Sequence, residues 1–210
     1  MTDIQGRIFI EQSGLIASGT IMLTDHVLPA DGRMELQLIA AGHVIILPVT
    51  GDLYYEDQQG EAVEVNVGEL KVSSIPVPAT LVLTNPYLSE AVNFLEIRIQ
   101  DATISQALSL DPLIFDFDAH RNLLMEIISP SAFNDLPFHF SIGRFAGRAE
   151  TIYEMKNEQT LFFAFVIAGA FEIEGRLLHP RDGLTLSNAK HVEIEALSNH
   201  AILLVIESQE

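Results

Sequence analysis

Histidines and carboxylates carry most of the chemistry that this 210-residue chain could perform, since it contains no cysteine. The seven histidines are His26, His43, His120, His139, His179, His191 and His200. No two stand as His-x-His, the spacing that puts two imidazoles on one face of a strand where they could share a transition ion. Asp116, Asp118 and His120 have that period, as do His191, Glu193 and Glu195. Both groups read as solvated runs, the first on a connecting segment and the second as the outward stripe of a half-buried strand. Glu96 and Arg98 share a strand face with Phe94, which reads as a cross-strand ion pair. Without thiols there is no disulfide, thiolate nucleophile or Cys-based metal site. Serine-nucleophile motifs, phosphate-binding glycine loops and metalloprotease helices are also missing from the sequence.

Charge narrows the partners. Lys and Arg total 11 against 29 Asp and Glu, a formal net charge of −18. A chain so negative is repelled by phosphate backbones and acidic lipid, so neither nucleic acid nor membrane is an expected partner. With 48% hydrophobic residues it can bury a substantial core. The first residues lack a basic stretch followed by a sustained apolar one, so the cytoplasm is the expected compartment.

The elements that must position any site are strands. Leu161 to Phe171 is apolar throughout, as in a strand buried on both faces, and Phe171 to Leu177 alternates on either side of a tight turn. His191 to Ala196 alternates as a half-buried strand, and Ala201 to Ile206 closes the series. A similar order runs through the first half, in Arg33 to Leu38, His43 to Tyr55, Val63 to Val67, Thr80 to Thr84 and Ala91 to Ile99. Pro48 inside the second of these suits an edge or a bulge. Thr24 to Gly32 is rich in turn residues. Gly51 corresponds to Gly169, Gly68-Glu69 to Arg181-Asp182, Leu83 to Asn85 with Leu197 to Asn199, and Asn93 to Ile99 with Ile202 to Glu207. Two copies of one β unit are therefore expected, over residues 1–100 and 138–210. A connector, 101–137, is expected to carry a short helix over Ala102 to Leu110 and to wrap in part across the barrels. The continuous apolar strands suggest packing of barrels or subunits face to face, so an oligomer is possible.

The phrase FVIAGAFEIEGRLLHPRDGLTLSNAKHVEIEALSNHAILLVIE resembles the C-terminal cupin of pirin-related proteins, the quercetinase C-terminal cupin. Arg121 to Leu124, Ser129-Pro130, Phe138 to Gly147, Gly32 to Leu36 and Leu47 to Asp52 are similar to other parts of short pirin-like proteins. The resemblance implies an all-β bicupin: two tandem double-stranded β-helix, or jelly-roll, barrels joined by a partly helical connector. It also implies a metal held by three histidines and a glutamate. Counting along that motif puts Gln37 and Ile39 at the His pair, His43 at the glutamate and Leu81 near the third histidine. In the second half the same count gives Met155, Asn157, Leu161 and Ile194. Two readings follow. In the first, both metal sites are degenerate, no cofactor binds, and the protein is a non-catalytic module for a small molecule or a protein partner, with Gln37 and His43 lining the barrel pocket. In the alternative it is a quercetin 2,3-dioxygenase-like oxygenase using Fe, Ni or Cu, its metal gathered around His43 and His26.

Overall fold

Alternating side chains become paired strands almost everywhere in the computed structural model, which describes residues 5–9, 15–18, 21–133 and 136–209. From the N-terminus the strands are β1 (Gln5–Phe9), β2 (Leu15–Ser18), β3 (Ile21–Leu28), β4 (Arg33–Leu38), β5 (Gly42–Thr50), β6 (Leu53–Glu56) and β7 (Ala62–Val65). Next come β8 (Glu69–Ile75), β9 (Ala79–Thr84), β10 (Val92–Gln100), β11 (Leu108–Ser109), β12 (Leu113–Ile114) and β13 (Met125–Ile128). The remainder forms β14 (Phe138–Phe145), β15 (Glu150–Glu154), β16 (Thr160–Ala168), β17 (Phe171–Ile173), β18 (Arg176–Leu178), β19 (Gly183–Ser187), β20 (His191–Ala196) and β21 (Ala201–Gln209). No helix occurs among the described residues, and so none there is long and apolar enough to cross a membrane.

The chain forms two units, one of Ser13–Phe115 and one of Asp116–Glu210 together with Met1–Gln12. In the first, a large sheet ordered β11-β8-β5-β10-β3-β2, with β12 also on β8, faces a small sheet ordered β4-β9-β6-β7. Leu36, Leu38, Leu53, Leu81 and Leu83 of the small sheet meet Val44, Ile46, Ile75 and Phe94 of the large one in a single buried cluster. Each such side chain contributes about 1.5–3 kcal/mol by leaving water. The second unit repeats the plan, with β1-β19-β16-β21-β14-β13 against β15-β20-β17-β18 and a core of Phe145, Phe162, Phe171, Leu184 and Leu203.

Strand pairing shows which positions of the two copies correspond. Gly42 faces Gln100 on β10 as Thr160 faces Gln209 on β21, and Ile46 faces Lys71 as Ala164 faces Leu184. The glycine correspondence holds to the backbone: Gly51 and Gly169 both have φ of 75°. Gly68 (φ 93°) and Arg181 (φ 74°) open equivalent turns. The next residue closes each turn, Glu69 accepting from the Asn66 N–H at 2.9 Å and Asp182 from the His179 N–H at 2.8 Å. At the small sheets the pairing corrects the sequence. Tyr55 faces Leu83 as Ile173 faces Ile194, so Leu83 to Asn85 corresponds to Ile194 to Ala196, three residues before the segment expected.

Three other expectations change. Ala102 to Leu110 is a turn followed by β11: Asp101 Oδ1 accepts from the Thr103 N–H at 2.8 Å, and Leu108 and Ser109 pair with Ser74 and Ser73. An Asp that closes a local turn and the β-branched pair Thr103-Ile104 offer a helix little. Thr24 to Leu28 is not a turn, because all five residues pair with β10. The boundary near residue 1 also moves, since β1 pairs with β19 of the other unit. Pro48 sits on a central strand, yet its missing N–H does no harm. The β5–β8 ladder has ended at Ile46, and the β5–β10 register slips beside it, between Asn93 and Phe94.

Candidate functional site

The interior of the N-terminal barrel is where chemistry would sit, and strand parity decides which residues reach it. On β4, Leu36 and Leu38 belong to the inner core, so Gln37 points outward; it is exposed and accepts from the Thr80 hydroxyl at 3.0 Å. Ile39 is 88% exposed. On β5, Val44 and Ile46 are the inner residues, which puts His43 on the opposite face. There His43 is buried, its Nδ1 2.9 Å from Ser74 Oγ and its Nε2 3.5 Å from Asp101 Oδ2. Leu81 does face inward, as an apolar member of the core. Gln37 therefore points away from the barrel, whereas His43, although on the opposite face of β5 from Val44 and Ile46, is among the residues around a cleft at the barrel's edge.

His26 lies on the inner face, opposite Phe94 and stacked on it with ring centroids 4.9 Å apart. His26 and His43 thus occupy opposite faces of one sheet, with β10 between their strands, and cannot grip a common ion. Among the described residues no group of three or more His, Asp or Glu is arranged to hold a metal. In the second barrel Leu161 and Ile194 are buried apolar residues, while Met155 is part of the apolar surround and Asn157 lies in a turn. The side chains at all the expected ligand positions lack the donors or the direction that an iron, nickel or copper ion requires.

The inner polar groups are different ones. His26 Nε2 lies 2.7 Å from Glu96 Oε2, and Arg98 Nε donates to the other carboxylate oxygen. This confirms an ion pair at Glu96 and Arg98 but places both partners on one strand, with the cross-strand contact made by His26. Burial alone would lift the Glu96 carboxyl, but the hydrogen bonds from His26 and Arg98 and the Arg98 charge outweigh it and hold the group below the usual carboxylate range. Arg98 also donates through Nη1 to the Gln37 carbonyl at 3.2 Å. Across the barrel, Tyr55 Oη lies 2.8 Å from Ser73 Oγ, and Lys71 Nζ sits 5.4 Å from the Tyr55 ring centroid while donating to the Leu110 carbonyl. Burial pushes the Tyr55 phenol up to about 12 and the Lys71 ammonium down.

Arg98, Tyr55 and Ser73 border two clefts that share Ile75. One, of about 170 Å³, is lined by Met22, Leu38, Val44, Ile75 and Arg98. The other, of about 100 Å³, is lined by Tyr55, Ser73, Ile75, Ala79 and Leu81. Register equivalence shows that the fold does not require this polarity. The C-terminal counterparts of Tyr55, Lys71 and Ser73 are Ile173, Leu184 and Leu186, all in its apolar core. The sequence holds the signal, since Lys71 and Ser73 fall two apart in the strand LKVSSI, on the face of Ile75.

The surface runs behave as expected. Asp116, Asp118 and His120 are exposed, and Asp116 Oδ1 accepts from the Asp118 N–H at 2.7 Å. His191, Glu193 and Glu195 face outward from β20, whose inner residues Val192, Ile194 and Ala196 are core.

Residues 138–207 match the family described as the quercetinase C-terminal cupin domain. The whole fold is similar to that of YhhW from Escherichia coli, at 16% identity and TM-score 0.75, over 93% of this chain and 82% of that one. YhaK from Escherichia coli gives a TM-score of 0.77 at 13% identity, over 98% and 94% of the two chains. A quercetin 2,3-dioxygenase from Acinetobacter baumannii gives 0.68 at 12% identity, over 94% and 75%. The chain has the bicupin fold. No curated protein matches this bicupin in sequence. A second structure of YhhW, described as a bacterial pirin in complex with nickel(II), aligns with it at TM-score 0.76 and 14% identity, over 99% of each chain. Gln37, Ile39, His43 and Leu81, the positions that the motif count gives, do not fit such an ion in this chain.

His43 gives a pH prediction. Desolvation lowers its basicity, with the Asp101 charge opposing, so the folded protein takes up a proton less readily than the unfolded chain. The unfolded chain then binds more protons once the pH drops below the ordinary value of 6.5, and stability falls on acidification through that range. His43→Leu places at this position the residue that its counterpart Leu161 already supplies. The variant should lose the His43 share of the stability slope below pH 6.5, measured by denaturant unfolding at a series of pH values. A slope equal to that of the wild type would refute the assignment.

Proposed function

We propose that this bicupin is a non-catalytic small-molecule-binding protein whose ligand enters the N-terminal barrel. The carrying observation is the pair of clefts around Ile75, edged by Arg98 on one side and by the Tyr55 and Ser73 hydroxyls on the other. An apolar pocket with a few convergent polar groups is the usual form of a ligand site. A cavity of about 150 Å³ takes a single benzene ring, so the open cleft of about 170 Å³ has room for one ring. Nε and Nη1 of Arg98 are engaged by Glu96 and Gln37. The remaining Nη2 amino group can donate to an oxygen on that ring.

Against the reading as a metal-dependent oxygenase stand the counted ligand positions, since of Gln37, His43 and Leu81 only the apolar Leu81 belongs to the inner core. Methyl NMR with benzamide and benzoate as probes tests the proposal. Shifts confined to Met22, Val44 and Ile75, weakened at least tenfold in affinity by Arg98→Met, are expected. Absence of shifts at those methyls would remove the ligand site. Stoichiometric iron, nickel or copper in protein purified without added metal, with turnover of quercetin, would overturn the non-catalytic assignment.

A further inference from the structure

In the C-terminal unit, a cleft of about 420 Å³ gathers Asp118, Arg121, Asn122, Arg144, Asn199 and His200. The connector folds back along β14 to make it. The Asn122 N–H donates to the Arg144 carbonyl at 3.0 Å, and Asn122 Oδ1 accepts from the Ala146 N–H at 2.7 Å. Asn199, on the turn before β21, accepts through Oδ1 from the Gly147 N–H at 2.9 Å. An N–H can only meet the oxygen of a carboxamide, so both amides are oriented with their amino ends left to donate. The Arg144 guanidinium is steadied by the Phe117 ring, 5.5 Å away. Arg121 Nη2 and Arg144 Nη2 then converge on one atom, Asp118 Oδ1, at 2.8 and 2.5 Å.

Apart from the imidazole of His200, the side-chain groups that this cleft has left to offer are donors, and Asp118 supplies the carboxylate they meet. Two guanidiniums and two amide groups present more N–H donors than one carboxylate can accept. A tetrahedral phosphate, with its additional oxygens, matches them better. The rest of the surface is strongly acidic, with a formal net charge of −18. Such a field repels anions at long range, so any anion held here is held by local geometry. We propose that the cleft is a phosphate-binding site for a small phosphomonoester, gripped by Arg121 and Arg144, and that the Asp118 carboxylate is an internal occupant which the ligand displaces. The volume beyond the phosphate leaves room for the attached group. This site is independent of the N-terminal barrel and of any ligand there.

Calorimetric titration of the full chain with inorganic phosphate tests the proposal. The wild type should bind weakly, because the phosphate must displace Asp118, and Asp118→Asn should bind at least tenfold more tightly. Adding Arg121→Met to Asp118→Asn should abolish that gain. Arg121 is 72% exposed, so its loss does not threaten the fold. Equal affinity of wild type and Asp118→Asn, or an undiminished gain after Arg121→Met, would overturn the proposal.

Discussion

Replacing Glu207 by Gln is expected to destabilise the protein by about 2–4 kcal/mol and to lower its melting temperature by roughly 5–12 °C. Glu207 is fully buried in the C-terminal barrel, at the position that Arg98 holds in the other copy. Its carboxylate accepts from the Tyr153 hydroxyl at 3.0 Å, the Thr160 hydroxyl at 2.6 Å and the Asn157 N–H at 3.1 Å. The Lys156 N–H reaches both oxygens, at 2.9 and 3.1 Å. Donors meet the group from three elements, and an amide would turn one of its two acceptor atoms into a further donor. At least one buried N–H or O–H would then lose its partner, which is the costly half of breaking a hydrogen bond. Burial and the Glu207 charge both push the Tyr153 phenol up, so the variant should let it ionise at lower pH. A thermal melt with a phenolate absorbance titration checks both. A melt within 2 °C of wild type would show that the donors find other partners.

Gly169→Ala is expected to cost about 3–5 kcal/mol. The residue has φ of 75°, where a side chain is strained, and a Cβ there would lie 2.5 Å from Ser198 Oγ, 2.7 Å from Ala201 Cβ and 2.8 Å from Ala201 Cα. Ser198 is not free to withdraw, since its hydroxyl accepts from the Ala170 N–H at 3.0 Å. Gly175→Ala is the control. Its φ is 69° but nothing lies within 4 Å of the added carbon, so only the conformational cost of about 1–2 kcal/mol remains. Denaturant unfolding of both variants isolates the steric part. Similar losses in the two would show that the turn before β17 opens to admit a methyl.

Fold and repeat were legible because they rest on period and punctuation. Leu161 to Ile167 is buried along its length, the Glu174-Gly175 pair makes the expected tight turn with φ of 49° and 69°, and the two glycines at 51 and 169 share a φ of 75°. Placing side chains in the barrel was harder, because counting along a motif from a glycine ignores which face each residue takes. One residue of phase turns Gln37 outward and Leu36 and Leu38 inward. His43 drew notice as a histidine in an apolar run, yet the run is buried on both faces, and the histidine belongs to the one turned away from the core cluster. Arg121 and Arg144 stand 23 residues apart in sequence and meet only because the connector returns along β14, which no local pattern announces. Lys71 and Ser73 were readable as a polar interruption, but their meaning came from Leu184 and Leu186 in the other copy.

The pairing of β1 with β19 makes the C-terminal barrel discontinuous along the chain. On a ribosome, the first of its strands to emerge must wait while the whole intervening barrel is synthesised and most of its own barrel follows. Cutting the gene at the connector would yield a fragment whose β19 presents a bare row of amides and carbonyls, open to capture by the β1 of a neighbouring molecule.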